Sequence, residues 1–410
     1  MSERQYAYRA GRATTDLVRE VMWRVLSARE AGLHVALLCC DLSRAFDTAD
    51  HHLIADKLNF YGMRGPVLSL LTSFMSHRSQ KVVGDNGRVK STEMINTMGV
   101  PQGSCLSNTL FSLLLNDLPS VIHEAEIYMY ADDVAAVVSA KTAQELEIKL
   151  NSVVQRLEWW FQLNGLALNK EKTMFLVFQL NGTSQPPCRV TTDQQTALQM
   201  VQTTKLLGFH VDSGLKWDHH IEELCSKLGR ACFALRRLAS TASRDVVLSC
   251  YYATVHSLLT YGVELWARAA DAGRAFRMQK RAVRAIAGLP DDASCRELFK
   301  EFKIMPLPCE FIYQIALFTH NNLSTFRQRG VNPSREMRSN KLAHLLVTPV
   351  HKLRKSERSV YVVGPAVYNR IPDEIKKDAA SAVAFKLKLR KWLLGNTFYS
   401  IDEFFDLPNI

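Results

Sequence analysis

The 410-residue sequence predicts an α+β fold: a front half of short strands and amphipathic helices, then a helical, basic back half. Two observations carry that reading. "LHVALLCCD" (33–41) and "IYMYADDVAAVV" (127–138) are apolar runs of strand length, whereas beyond Val211 apolar residues recur at helical spacing over 218–239, 244–266, 272–287 and 308–322. Charge divides at nearly the same point. Residues 1–215 hold 20 Lys and Arg against 21 Asp and Glu, and residues 216–410 hold 31 against 19. A neutral front joined to a basic back suggests chemistry in front and polyanion binding behind; a solvated basic surface is as ready an explanation from charge alone.

Taken in order, residues 14–31 read as a helix with Leu17, Val18, Val21, Met22 and Val25 on one face. The strand 33–41 ends at Asp41, and a helix follows through Leu53, Ile54, Leu58 and Tyr61 to a stop at Gly62. "SLLTSFMSH" continues helical. Asp85-Asn86-Gly87 is flanked by polar–apolar stretches, and Asn-Gly supplies the positive φ angles of a hairpin turn. Residues 108–122 are helical until Pro119, 127–138 fold back at Ala131-Asp132-Asp133, and 142–163 form a long amphipathic helix. "KTMFLVF" and "KLLGFHVD" are two short strands around a polar loop at 181–190. Gly288 followed by Pro290 stops the helix 272–287. The tail from 330 is basic and mixed and ends in helical "SAVAFKLKLRKWLL".

With 47% hydrophobic and 22% charged residues, the chain should bury a substantial core and divide into two or three domains. No apolar run approaches the ~18–20 residues of a membrane span, so no membrane partner is expected. The polar start "MSERQYAYRAGR" is no signal peptide. Nine cysteines without a CxxC pair indicate a reduced intracellular protein of nucleus or cytoplasm. Cys295, Cys309 and His320 are too widely spaced for a zinc knuckle and read as structural.

Asp41 ends one buried strand, and Asp132 and Asp133 interrupt another. Buried without a partner, such carboxylates repel one another and lose hydration. If the strands are sheet neighbours, three carboxylates converge on one edge. Hard oxygen ligands of this kind suit Mg²⁺ shared with substrate phosphates, and two ions ~3.5–4 Å apart can drive an in-line displacement. Each piece alone has a plainer reading: "ADD" as a solvated turn, Asp41 as the cap of a turn before Ala45.

"DLSRAFDTADHHLIADKL" from Asp41, "GVPQGSCLSNTLFSLLLNDL" from Gly99 and "YADDVAAVV" from Tyr130 resemble, in order, motifs A, B and C of reverse transcriptases. The likeness is to the polymerases of non-LTR retrotransposons of the jockey-like and related LINE lineages. "QYAYRAGRATTDLV" (5–18) resembles the segment before motif A, "LALNKEKTMFLVF" (166–178) motif D, and "KLLGFHVDSGLKW" (205–217) the hairpin region called the primer grip. "SLLTYGVELW", "MQKRAVRAIAGLP" and "VVGPAVYNRIP" resemble later landmarks, so the resemblance spans nearly the whole chain. It implies a right-hand polymerase: partial fingers and an antiparallel palm sheet with helices over 1–211, a thumb-like helical domain over 212–290 and a mostly helical basic region over 291–410. The implied activity is RNA-directed DNA polymerisation, with an RNA template, a DNA primer, dNTPs and two Mg²⁺ ions for which Mn²⁺ can substitute.

Position by position, the resemblance implies that Asp41 and Asp132 ligate both metals with Asp133 assisting. Phe46 would be the steric gate against a ribose 2′-OH; as part of "RAF" it reads equally well as core. Gln102 would lie against the incoming nucleotide, in a backbone turn shaped by Pro101 and Gly103. Lys172 would protonate the pyrophosphate leaving group, with Lys170 a near neighbour for the same role. Tyr130 would border the primer end or serve only as a hairpin aromatic, and Leu207-Gly208 would approach the primer by their backbone.

Leu106-Ser107-Asn108 depart from the small-Gly-Pro run usual after "GVPQGS". The fingers motifs that hold the triphosphate, and the endonuclease of jockey-like elements, would lie before Met1. The resemblance thus implies an N-terminally truncated copy: a polymerase weaker than a full-length enzyme, or a catalytically impaired remnant that only binds nucleic acid. In the back half, Arg274, Arg277, Arg281 and Arg284 fall on one helix face, suited to phosphate contacts along a duplex or to a solvated surface. "HKLRKSER" (351–358) is a second basic cluster.

Overall fold

Leu17, Val18, Val21, Met22 and Val25 are buried along one side of α1 (Thr14–Glu30), which closes over β1 (His34–Cys40). The computed structural model describes residues 1–76, 78–179, 188–193, 195–327, 345–377 and 381–407; most of the loop expected at 181–190 and the start of the basic tail lie outside them. The chain divides into two units, Met1–Gly214 and Leu215–Ile410.

In the first unit, β1 leads into α2 (Ala45–Thr48), α3 (His51–Phe60) and α4 (Pro66–Met75). Asp50 caps α3 by accepting from His52 N and Leu53 N at 2.7 and 3.1 Å. Two nested hairpins follow: β2 (Arg78–Gln80) pairs with β5 (Met94–Asn96), and β3 (Val83–Gly84) with β4 (Val89–Lys90). Asn86 and Gly87 take positive φ at the inner turn, as the Asn-Gly pair predicts. Next come α5 (Cys105–Leu114) and α6 (Leu118–Val121). Pro119 therefore does not end a helix. It sits in the first turn of α6, where its missing N–H has no bond to lose.

β6 (Ala125–Tyr130) and β7 (Asp133–Ala140) form the expected hairpin, and α7 (Ala143–Leu163) starts from Thr142, whose Oγ1 accepts from Glu145 N. β8 (Met174–Val177) and β9 (Gln199–Met200) complete a sheet of order β6-β7-β1-β8-β9, antiparallel except for the last pair. Its core includes Leu38 of β1, Phe111 of α5, Ala136 and Val138 of β7, and Leu150, Leu157 and Phe161 of α7. "KLLGFHVD" is not one strand. β10 (Thr203–Leu206) and β11 (Phe209–Asp212) fold back through Leu207 and Gly208, both at positive φ.

The second unit is helical: α8 (Asp218–Ala239), α9 (Arg244–Tyr251), α10 (Ser257–Thr260), α11 (Val263–Trp266), α12 (Ala272–Ala287), α13 (Arg296–Glu301), α14 (Leu307–Asn321), α15 (Val360–Arg370), α16 (Asp373–Lys377), α17 (Ala382–Asn396) and α18 (Ile401–Phe405). The helix expected over 244–266 is broken, because a π turn at Tyr252–His256 widens it and Gly262 at φ +56° ends it. Gln279 of α12 is fully buried and saturated: Nε2 donates to Tyr251 Oη and Met305 O, and Oε1 accepts from Leu307 N. Helices on both sides of residue 290 thus belong to one unit. Among the described residues, no helix is long and apolar enough to cross a membrane.

Candidate active site

β1 and β7 are antiparallel neighbours whose last pair is Cys40 opposite Val134, so Asp41 and Asp133 occupy the next positions along the two chains. Tyr130 pairs with Asp133 across the hairpin, leaving Ala131 and Asp132 as its two-residue turn. Asp41 and the consecutive pair Asp132-Asp133, remote from it in sequence, are therefore brought to one sheet edge by strand register and the hairpin turn. Lost hydration, then the charges of Asp132 and Asp41, hold the Asp133 carboxyl above its usual range, although its outer side meets solvent. Asp41 does not cap α2, which begins after left-handed Arg44 with no side-chain cap.

The turn before β8 wraps the backbone of Asp41. Asp41 N donates to Thr173 Oγ1 at 3.2 Å, Asn169 N to Asp41 O at 2.8 Å, and Lys172 N to Asn169 Oδ1 at 3.3 Å. That turn puts Lys172 Nζ 4.0 Å from Asp41 Oδ2, both groups being well exposed at 70% and 42%. Lys170 goes elsewhere, to the buried carboxylate of Glu158 at 3.1 Å. Of the two neighbouring lysines, only Lys172 is at the acidic edge.

Phe46 is half buried and stacks on Phe111, with centroids 4.3 Å apart. Its carbonyl accepts from Val100 N, and Ala49 O accepts from Gly99 N, so residues 99–100 lie directly against α2. Gly99 is required there. Its φ is +79°, and an added Cβ would stand 2.6 Å from Asp47 O. His51 Nε2 and Arg78 both donate to Gly99 O. Gln102 is exposed and donates from Nε2 to Asp47 Oδ1 at 2.9 Å, while Gly103 turns at φ +87° after half-buried Pro101. Arg44, Asp47, Arg78, Gly99 and Gln102 line an open cavity of about 660 Å³. The motif reading named Gln102 but missed Gly99, Arg44 and Arg78; a glycine two residues before "PQG" was the available signal.

Tyr130 is half buried at the end of β6. Beside it, Tyr8 stands at φ +56° with about half its surface in solvent, and lost hydration on its covered side, then the nearby Asp132, raise its phenol above the usual range. Leu207 and Gly208 form the β10–β11 turn. In the second unit the arginine stripe is largely committed. Arg274 pairs with Asp271, Arg281 shares Asp291 with Arg236, and Arg284 Nε donates to Ala293 O. Arg277 is exposed.

Against known proteins, a family profile described as "Reverse transcriptase (RNA-dependent DNA polymerase)" matches residues 1–211, the whole of the sheet and its edge. The chain belongs to the reverse transcriptase family. It is 24% identical over 370 residues to a Drosophila melanogaster protein named for the RNA-directed DNA polymerase of transposon X-element, covering 86% of this chain and 40% of that one. With the "RNA-directed DNA polymerase from mobile element jockey" of the same species, identity is 24% over 317 residues, 74% of this chain and 34% of that one. The chain thus spans about two fifths or less of these curated relatives. A solved telomerase from Candida albicans, in complex with a fragment of telomeric RNA, matches at a TM-score of 0.43 and 10% identity over 74% of this chain and 55% of that one.

Reverse transcriptases generally use divalent metal ions. The acidic edge of this chain suits one in donor chemistry: oxygen only, with like charges crowding Asp133. Among the described residues, however, no three His, Cys, Asp or Glu side chains already stand as a closed ligand cluster.

Proposed function

We propose that this chain is an RNA-directed DNA polymerase of the non-LTR retrotransposon type, adding dNTPs to a primer 3′-OH on an RNA template. The observation that carries the reading is the register that sets Asp41 beside Asp133, with Asp132 in the adjoining turn, inside the segment that matches the family. Asp41 and Asp132 would hold two Mg²⁺ or Mn²⁺ ions, with Asp133 as a third carboxylate. Such ions, when bound, lower the pKa of an attacking hydroxyl and stabilise the charge on the leaving group.

The protein's own groups do the rest. Phe46, fixed from behind by Phe111, presents its ring to the sugar and excludes a 2′-OH. Gln102, Pro101 and Gly103 form the wall beside the base, and the bond from Gln102 to Asp47 sets the side chain's direction. Lys172, beside Asp41, gives its proton to the departing pyrophosphate, a contribution of about 10²–10⁴-fold for a well-placed general acid. Tyr130 and the Leu207-Gly208 backbone align the primer end, and orientation of this kind supplies much of the rate. Arg277, with the outer faces of Arg274, Arg281 and Arg284, contacts duplex phosphates without regard to sequence.

The test is extension of a DNA primer on an RNA template by purified chain in Mg²⁺ and in Mn²⁺, alongside Asp132→Asn. Incorporation that vanishes in the variant supports the proposal. Incorporation that persists at the wild-type rate sinks the assigned chemistry.

A further inference from the structure

The turn bearing Asp132 is held from outside its own hairpin. Residues 4–6 run alongside β6, with Met129 N donating to Arg4 O and Tyr6 N to Met129 O, each at 2.9 Å. Gln5 between them is fully buried. Its Oε1 accepts from Ala7 N at 3.0 Å and from Ala131 N at 3.3 Å. Both partners are N–H donors, which only the amide oxygen can serve, so the orientation of the amide is settled by chemistry. The other end, Nε2, is buried without a hydrogen-bond partner. A purely packing role would be filled better by an apolar side chain, because an unmet buried donor is costly.

What Gln5 holds is conformationally unusual. Ala131 sits at φ +55°, a left-handed conformation that its Cβ disfavours, and its side chain is buried. Ala131 immediately precedes Asp132. Relaxation of Ala131 to negative φ would redirect the Asp132 carboxylate away from the edge shared with Asp41 and Asp133. Gln5 reaches this turn because the amino-terminal segment is laid against β6 by its backbone.

We infer that Gln5 is a positioning residue for the acidic turn: its amide oxygen, by accepting from Ala131 N–H, keeps Ala131 left-handed and so aims Asp132. This rests on the polymerase reading of Asp132, and its test is chosen to stand apart from turnover. The primary readout is hydrogen–deuterium exchange at the Ala131 amide in the full chain. Gln5→Leu should speed that exchange about 10-fold or more while the β1 and β7 amides stay protected. Gln5→Glu, which keeps the acceptor, should restore protection.

Binding of Mn²⁺ alone, followed by electron paramagnetic resonance, supplies a second readout. Gln5→Leu should weaken it by about 10-fold, the scale of losing a group that orients a ligand. In an Ala131→Gly background the effect of Gln5→Leu should shrink, because glycine takes positive φ without being held. Unchanged Ala131 exchange in Gln5→Leu overturns the inference, as does an equal Mn²⁺ loss in both backgrounds. Should Gln5→Leu not fold, Gln5→Asn, whose shorter amide withdraws the acceptor, takes its place under the same criteria. Absence of primer extension by the wild-type chain would refute the polymerase proposal and leave the exchange result to decide this one.

Discussion

Lys172 Nζ stands 4.0 Å from Asp41 Oδ2, while its neighbour two residues back, Lys170, is tied to the buried carboxylate of Glu158. The two lysines of "NKEKT" therefore have separable roles. Lys172→Ala should lower kcat for dNTP addition by about 10–100-fold with little change in KM, as loss of a proton donor used only in the transition state requires. Lys170→Ala should instead destabilise the fold by about 1–3 kcal/mol, by leaving Glu158 buried and unpaired. Single-turnover kinetics and urea unfolding of both variants separate the outcomes; the reverse pattern would reassign the lysines.

Gly99 is the position where a single methyl group does most damage near the proposed nucleotide side. Gly99→Ala places Cβ 2.6 Å from Asp47 O and demands φ +79° of an L-residue. We expect a loss of about 2–4 kcal/mol, from strain added to overpacking. Gly103→Ala meets no atom within 4 Å and carries only the φ penalty, so it should cost about 1 kcal/mol. Comparable melting temperatures for the two variants would contradict this.

Phe46 combines the two readings that sequence left open. It packs on Phe111 and the palm core, yet remains half exposed. Phe46→Val should reduce discrimination against ribonucleotides by at least about 10-fold and cost about 1–2 kcal/mol of stability. Competing dNTP and rNTP incorporation on one template measures the first effect, and urea unfolding the second. Unaltered sugar selection would leave Phe46 a core residue only.

The parts that sequence disclosed are those governed by short-range pattern. The convergence of Asp41 with the Asp132-Asp133 pair was legible from the order and spacing of the motifs around them, each acid alone having a plainer reading, and Asn86-Gly87 was legible because few dipeptides take two positive φ angles. The hairpin at Leu207-Gly208 was legible only through the resemblance, since leucine seldom adopts φ +46° and a lone Gly208 inside "KLLGFHVD" is a weak break signal. Pro119 misled because proline both ends helices and begins them. The partners of Gln5 in the acidic turn and of Gly99 on α2 and α3 lie on chain segments remote in sequence, which periodicity cannot report.

The last prediction concerns a buried acid in the helical unit. Glu310 is 2% exposed, and its Oε1 lies 3.6 Å from Nδ1 of His256, neither atom making a hydrogen bond. Burial pushes the Glu310 carboxyl from 4.5 up to about 8, against a modest opposing pull from Arg390. Burial and Arg390 lower His256, so the imidazole is neutral where Glu310 begins to ionise. The unfolded chain releases the Glu310 proton near 4.5, and the folded chain keeps it until about 8. Between those values the folded state binds the extra proton, so stability falls as pH rises. The stabilising contribution is complete below 4.5 and gone above about 8. Glu310→Gln keeps the shape and removes the titration. Relative to wild type, the variant should therefore gain about 1–3 kcal/mol between pH 6 and 8.5. Urea unfolding of both chains across that range measures the difference, which cancels the opposite contribution of His256; a difference that does not change with pH would show that Glu310 is already ionised in the fold.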